Sequence, residues 1–276
     1  VVDGLDTGGV GNMHKDAATR GQARPAGPTR LAGWVPVLAL SAALSLPLRA
    51  GADTAAQAPA TSPAPGIAEV LQLSQQQRLA LRPAAVADSA AAERVRDSLA
   101  RLLAMRPQDG PAELVLVGGD LYAEALFGRR ALAVSESVGQ LPEGERLLLL
   151  AHELGHLSLQ HWGSLNALYR SHIPGAVRPD TTEPVAAALG AQAHALSHRQ
   201  EFEADAFGFT LVRQLGFGVD TAFGLLTRHG VQMDGATHPG TRRRIAQLRV
   251  LDSQLSHPGL GDTAAELVGV APAGRP

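Results

Sequence analysis

No cysteine occurs in the 276 residues. That absence excludes a disulfide framework, a thiolate nucleophile and any cysteine-held metal, so a bound metal here would fall to His, Asp or Glu. An excess of either charge is also lacking. Against 26 acidic residues stand 24 basic ones, and a net charge of −2 leaves no electrostatic footprint for nucleic acid. Lysine is nearly missing, Lys15 being the only one, so the positive charge is almost all arginine. No apolar run beyond residue 48 approaches the roughly 20 residues of a membrane helix. Membrane proximity is therefore expected only through the N-terminal segment. What is present, a 45% hydrophobic content over this length, suffices for one substantial core in one or two domains.

The N-terminal segment has the order of a secretory signal. Lys15, Arg20, Arg24 and Arg30 precede the uncharged run "LAGWVPVLALSAALSLPL" at 31–48, and Ala50 and Ala52 follow in an A-x-A arrangement. Residues 1–52 are expected to be a signal peptide cleaved after Ala52, with Met13 as the true start. An anchor retained at the membrane is the alternative. The mature protein is then expected outside the cytoplasm, periplasmic or secreted. Residues 53–66, "DTAAQAPATSPAPG", read as a flexible tether, and the folded domain is expected over 67–276.

Within that domain "IAEVLQLSQQQRLAL" and "DSAAAERVRDSLARLLAM" read as helices, the second with an apolar stripe of Val95, Leu99, Leu102 and Leu103. Strands are expected at 113–119 and 129–139. Pro142, Glu143 and Glu145 make a first helical turn, and "RLLLLAHELGHLSLQHW" continues it as far as a stop at Gly163. On such a helix His152 and His156 are about 40° apart, so both imidazoles enter one space, with Glu153 on the flank. This is His-Glu-x-x-His: two neutral imidazoles hold Zn²⁺ while the glutamate takes a proton from water. The surrounding leucines argue against two idle surface histidines, since buried imidazoles need partners. Gly155 costs about 1 kcal/mol inside a helix and is expected to admit another backbone beside the ligands. His161 lies about 140° beyond His156, which makes it a solvated residue or one that backs a ligand from behind.

A catalytic zinc needs a third protein ligand and an open position. In "AHALSHRQEFEADAFGF", His194, His198, Glu201 and Asp205 share one helical face, while Glu203 lies about 200° from Glu201. Glu183, before Pro184, is a weaker candidate.

Three ordered motifs, "LLLLAHELGHLSLQH", "SHRQEFEADAFGF" and "THPGTRRRIAQL", together resemble the HtpX-like zinc metallopeptidases, a gluzincin group that includes the CAAX prenyl and mitochondrial Oma-type proteases. The likeness covers roughly residues 113–250. It implies Glu201 as the third zinc ligand, Asp205 as support for a ligand histidine, His238 near the cleft as a transition-state or regulatory residue, and Arg244 in the helix that follows. Departures are visible: His198 stands where the family often has Arg, and "LYAEALFG" lacks the Asn often found ahead of the edge strand.

The expected fold is α+β and mainly helical, a zincin-like domain with a small sheet beside the active-site helix. The expected activity is that of a zinc metalloendopeptidase with one Zn²⁺ per chain, held by His152, His156 and Glu201, and with Glu153 as general base. Its partners would be protein or peptide substrates, bound as an added strand near residues 125–134, and its role extracytoplasmic protein quality control or processing. The alternative is a zinc-containing, chaperone-like binding protein that cleaves little.

Overall fold

The computed structural model describes residues 64–257. The expected signal segment and nearly all of the expected tether lie outside the described residues. The last of that tether already engages the fold: the Pro65 carbonyl accepts from the Val177 N–H at 3.0 Å, and Gly66 bridges to Ala176.

Two helices come first, α1 (Ile67–Ala80) and α2 (Ala90–Ala104). Ser89 caps α2 by accepting from the Ala92 N–H at 3.1 Å, worth about 1 kcal/mol. The stripe Val95, Leu99 and Leu102 is buried in the main core, with Leu103 at its margin. Three strands follow, β1 (Glu113–Val117), β2 (Ala123–Ala125) and β3 (Ala131–Ser135), in spatial order β1-β3-β2. β3 is central and buried along its whole length, parallel to β1 and antiparallel to β2. It is shorter than the run expected at 129–139. Glu136–Gln140 coil into a 3-10 turn because Glu136 accepts from the Val86 N–H and the Ser89 hydroxyl, at 2.9 and 3.2 Å, pulling the chain out of the sheet.

β2 is an edge. Tyr122 accepts from the Ser135 N–H and Leu126 donates to the Ala131 carbonyl, so by alternation the peptide groups of Ala123 and Ala125 face away from β3. The buried Glu124 ties this edge to α1, taking bonds from Gln75 at 2.8 Å, from Arg78 at 3.0 Å and from the Tyr122 hydroxyl.

The leucine-rich helix α3 (Glu143–Ser158) buries Leu147–Leu150, Ala151 and Leu154. It does not run on to Gly163 as the sequence suggested. Gln160 adopts a left-handed conformation, φ 54°, and a new helix, α4 (His161–His172), sets off. A non-glycine residue at positive φ is uncommon, and tertiary contacts hold this one. The Ser158 hydroxyl donates to Asp109 at 2.8 Å on one side, and Gln200 donates to the His161 carbonyl at 3.0 Å on the other.

After the short α5 (Pro179–Thr182) comes α6 (Ala186–Gln214), then α7 (Val219–Thr227) and α8 (Thr241–Ser256). α6, 29 residues and about 43 Å long, crosses α3 at close range. A Cβ on Gly155 would lie 3.1 Å from Ala204 Cα, and one on Gly208 would lie 2.8 Å from the His152 backbone nitrogen. Gly155 thus admits another backbone, as expected. The architecture is α+β, mainly helical, with its small sheet against α3. Among the described residues no helix is long and apolar enough to cross a membrane.

Candidate metal centre

α3 and α6 bring their polar residues to one point inside an apolar crossing. His152, His156 and Glu201 each present a donor atom, all within 4.8 Å of one another. His152 Nε2 lies 3.2 Å from His156 Nε2 and 3.5 Å from Glu201 Oε2, and His156 Nε2 lies 3.3 Å from Glu201 Oε1. A tetrahedral zinc with bonds of about 2.0–2.1 Å sets its ligand atoms about 3.3 Å apart, which is the scale of these contacts, Glu201 meeting each imidazole with a different oxygen. Glu201 Oε2 is buried without a hydrogen-bond partner, its neighbour Arg244 Nη1 being 3.7 Å away. A buried carboxylate oxygen that receives no hydrogen bond and faces two imidazoles is a place where a cation would complete the charge balance. The residues therefore fit zinc.

Each surrounding group has a physical task. His152 Nδ1 lies 3.0 Å from Asp205 Oδ1, which fixes that ring with Nε2 toward the triangle. Asp205 is clamped in turn by Arg244, Nε to Oδ2 at 2.7 Å and Nη2 to Oδ1 at 2.5 Å. Burial pushes the Asp205 carboxyl up, but Arg244 and His152 outweigh it and hold the group below its ordinary range. Glu201 behaves alike: against burial, His238, His156 and His152 keep it well below the usual carboxylate range. For Glu153 the balance reverses. Burial dominates and raises its pKa despite the two histidines, and Oε2 accepts from the Ala125 N–H of β2 at 2.8 Å. His238, from the loop before α8, reaches to 3.4 Å from Glu201 Oε1, with its Nδ1 2.8 Å from Thr237 Oγ1. Burial lowers its pKa although Glu201 opposes the shift.

Other candidates stand elsewhere. His198 and His194 lie 2.8 and 3.0 Å from the carbonyls of Gly235 and Ala236, so they hold the loop that carries His238 and do not join the triangle. Glu183 sits in a 3-10 turn outside the cluster. His161 is not solvated: it is 4% exposed, with Nδ1 3.0 Å from His156 Nδ1. Burial, then His156 and His152, lower its pKa to about 3, so the ring is neutral. Glu203, half exposed, brings Oε2 to 3.2 Å from His161 Nε2, though off the line of that ring's N–H. The clamp by Arg244 was not apparent from the sequence. Arg242, Arg243 and Arg244 are adjacent there, and only the helical period shared with Ile245 and Leu248 marks the third as buried.

The cleft beside the triangle runs along β2 and is walled by the stacked rings of Phe127 and Trp162, 4.2 Å apart, and by Leu126, Leu157 and Leu165. Residues 88–252 match the model of Peptidase family M48. No curated protein and no solved structure matches the chain.

Proposed function

Since the chain belongs to Peptidase family M48, whose members are zinc-dependent metallopeptidases, we propose that it is an endopeptidase that cleaves protein substrates at the α3–α6 crossing. The carrying observation is the buried triangle of His152, His156 and Glu201 with Glu153 beside it. In this reading the three residues are the zinc ligands. Zinc bound there supplies Lewis acidity, which polarises a carbonyl and acidifies water.

The chain's own groups do the rest. Glu153, anchored through Oε2 by the Ala125 N–H, offers its other oxygen to take the proton of the attacking water and pass it to the departing amine. Burial has raised its proton affinity, which suits a base that must hold that proton between the two steps. His238, tied at Nδ1 to Thr237, presents Nε2 to charge developing on the carbonyl oxygen. Asp205 and Arg244 keep His152 aimed. The outward N–H and carbonyl of Ala123 receive an extended substrate backbone as an added strand, which accommodates many sequences, while those of Ala125 are held by Glu153 and Gln75. The apolar wall of Phe127 and Trp162 lies along its path.

We place this activity outside the cytoplasm, in the processing or quality control of proteins there. The support is the basic, apolar, A-x-A order of residues 1–52. Mass spectrometry of the exported protein should find a chain beginning after Ala52. A mature chain that keeps residues 31–48 would mean an anchor.

The test of the activity is direct. Zinc content and cleavage of an unfolded protein are measured for wild type, with and without chelator, and for Glu153→Gln. Wild type should cleave only with metal. The variant should keep its zinc and lose about 10²- to 10⁴-fold in turnover, the usual contribution of a general base. Equal rates at equal zinc occupancy would rule out the role given to Glu153. Zinc binding with no cleavage under any condition would favour the binding-protein reading.

A further inference from the structure

The two ligand histidines are backed differently. His152 leans on a carboxylate, that of Asp205. His156 leans on another imidazole, that of His161. We propose that His161 and Glu203 form a relay that fixes the ring and tautomer of His156, making both of them positioning residues of the metal centre. The proposal rests on the metal-centre reading above.

Geometry sets the protons. His156 Nε2 faces the donor triangle, 3.2 Å from His152 Nε2 and 3.3 Å from Glu201 Oε1, so as a ligand it must be bare. Its proton then sits on Nδ1, which points at His161 Nδ1 at 3.0 Å. That nitrogen can only be the acceptor, and the remaining His161 proton belongs on Nε2, 3.2 Å from Glu203 Oε2. The chain of contacts is therefore a hydrogen bond from His156 Nδ1–H to His161 Nδ1, then an electrostatic contact of His161 Nε2–H with a carboxylate that lies off its hydrogen-bond line. A ligand imidazole that donates its second proton is fixed in orientation and made a better ligand.

The fold supplies the parts for this arrangement. Left-handed Gln160 turns the chain so that His161, about 140° from His156 on a continuous helix, comes back to meet it. Gln200 grips the His161 carbonyl from α6 at 3.0 Å. The helical offset that takes Glu203 away from the triangle aims it at His161. A simple helical wheel predicts that Glu203→Gln is silent, whereas the structure predicts that it is not.

The test uses the full chain and zinc itself. Zinc affinity is measured by competition with a chromogenic chelator, and long-range ¹H–¹⁵N spectra of histidine-labelled protein report the His156 tautomer and the exchange of its Nδ1 proton. His161→Phe should weaken zinc about 10- to 100-fold, as partners behind metal ligands usually do, and should speed exchange of the His156 Nδ1 proton. His161→Asn restores an acceptor near the Nδ1 position and should recover much of the affinity. Glu203→Gln should cost only about 2- to 5-fold, because its carboxylate is 47% exposed.

Wild-type affinity and a wild-type His156 signal in both His161→Phe and Glu203→Gln would overturn the relay and leave the metal-centre reading standing. Wild-type protein that binds no zinc would overturn both. Should His161→Phe fail to fold, His161→Asn and Glu203→Gln decide, since the first loses the Nε2 arm and the second the negative charge that the arm faces. Faster Nδ1 exchange in each supports the relay, and wild-type exchange in each sinks it.

Discussion

Arg244 meets Asp205 with two nitrogens in a place that water does not reach, so its removal strands a buried carboxylate as well as deleting a contact. Breaking one side of such a pair costs about 3–5 kcal/mol. Arg244→Met is therefore expected to lower the unfolding free energy from urea titration by that amount, with a matching fall in midpoint, and Arg244→Lys, which keeps charge but not the two-pronged fit, by less. A midpoint unchanged in Arg244→Met would mean that the clamp contributes nothing. At this scale legibility depended on range. His152, Glu153 and His156 follow from the geometry of one helical turn, which sequence spacing states directly. Placing Glu201 required the motif resemblance together with its helical face. For His161 the sequence left two readings, solvated or behind a ligand, and the second holds because of the left-handed turn at Gln160, a residue type that gives no warning of positive φ.

The crossing of α3 over α6 makes opposite predictions for two glycines in α6. At Gly208 an added methyl would meet the His152 backbone nitrogen at 2.8 Å, and backbone cannot step aside cheaply. Overpacking of about 1–3 kcal/mol should exceed the roughly 1 kcal/mol gained in helix propensity. Gly208→Ala should thus destabilise the fold and shift His152 within the donor cluster. Gly190, with open space around it, should gain about 0.5–1 kcal/mol on replacement by Ala. Denaturant titration of both variants checks the contrast, and the same sign for both would refute it. The edge strand carries a separate expectation. Ala123→Pro removes one outward N–H at a position where an edge tolerates proline, so substrate should lose about one hydrogen bond, roughly 1 kcal/mol or fivefold in kcat/KM, with zinc content unchanged. Element boundaries were less legible than element types. β3 and α3 both stop short of their sequence patterns because of contacts distant in sequence: the Glu136 side chain is drawn to the Val86 N–H and the Ser89 hydroxyl, and Gln200 holds the His161 carbonyl.

For the molecule as a whole, the spacing of the donors matters more than any one of them. His152 and His156 lie on one helix and Glu201 on another, with 44 intervening residues between His156 and Glu201 that contribute no donor. An ion held by all three is a cross-link between distant stretches of chain, and its binding energy becomes folding energy. At free zinc 100 times the dissociation constant the folded state should gain about 2.7 kcal/mol, and the melting temperature should climb with each further tenfold of zinc. A melting temperature indifferent to zinc would show that the ion spans no such gap. With no disulfide to stand in for that bond, the protein would carry a built-in dependence of lifetime on supply. Where zinc is scarce, the amides of α3 and α6 should exchange hydrogen sooner than they do in its presence, and the protein should be cut more readily by other proteases.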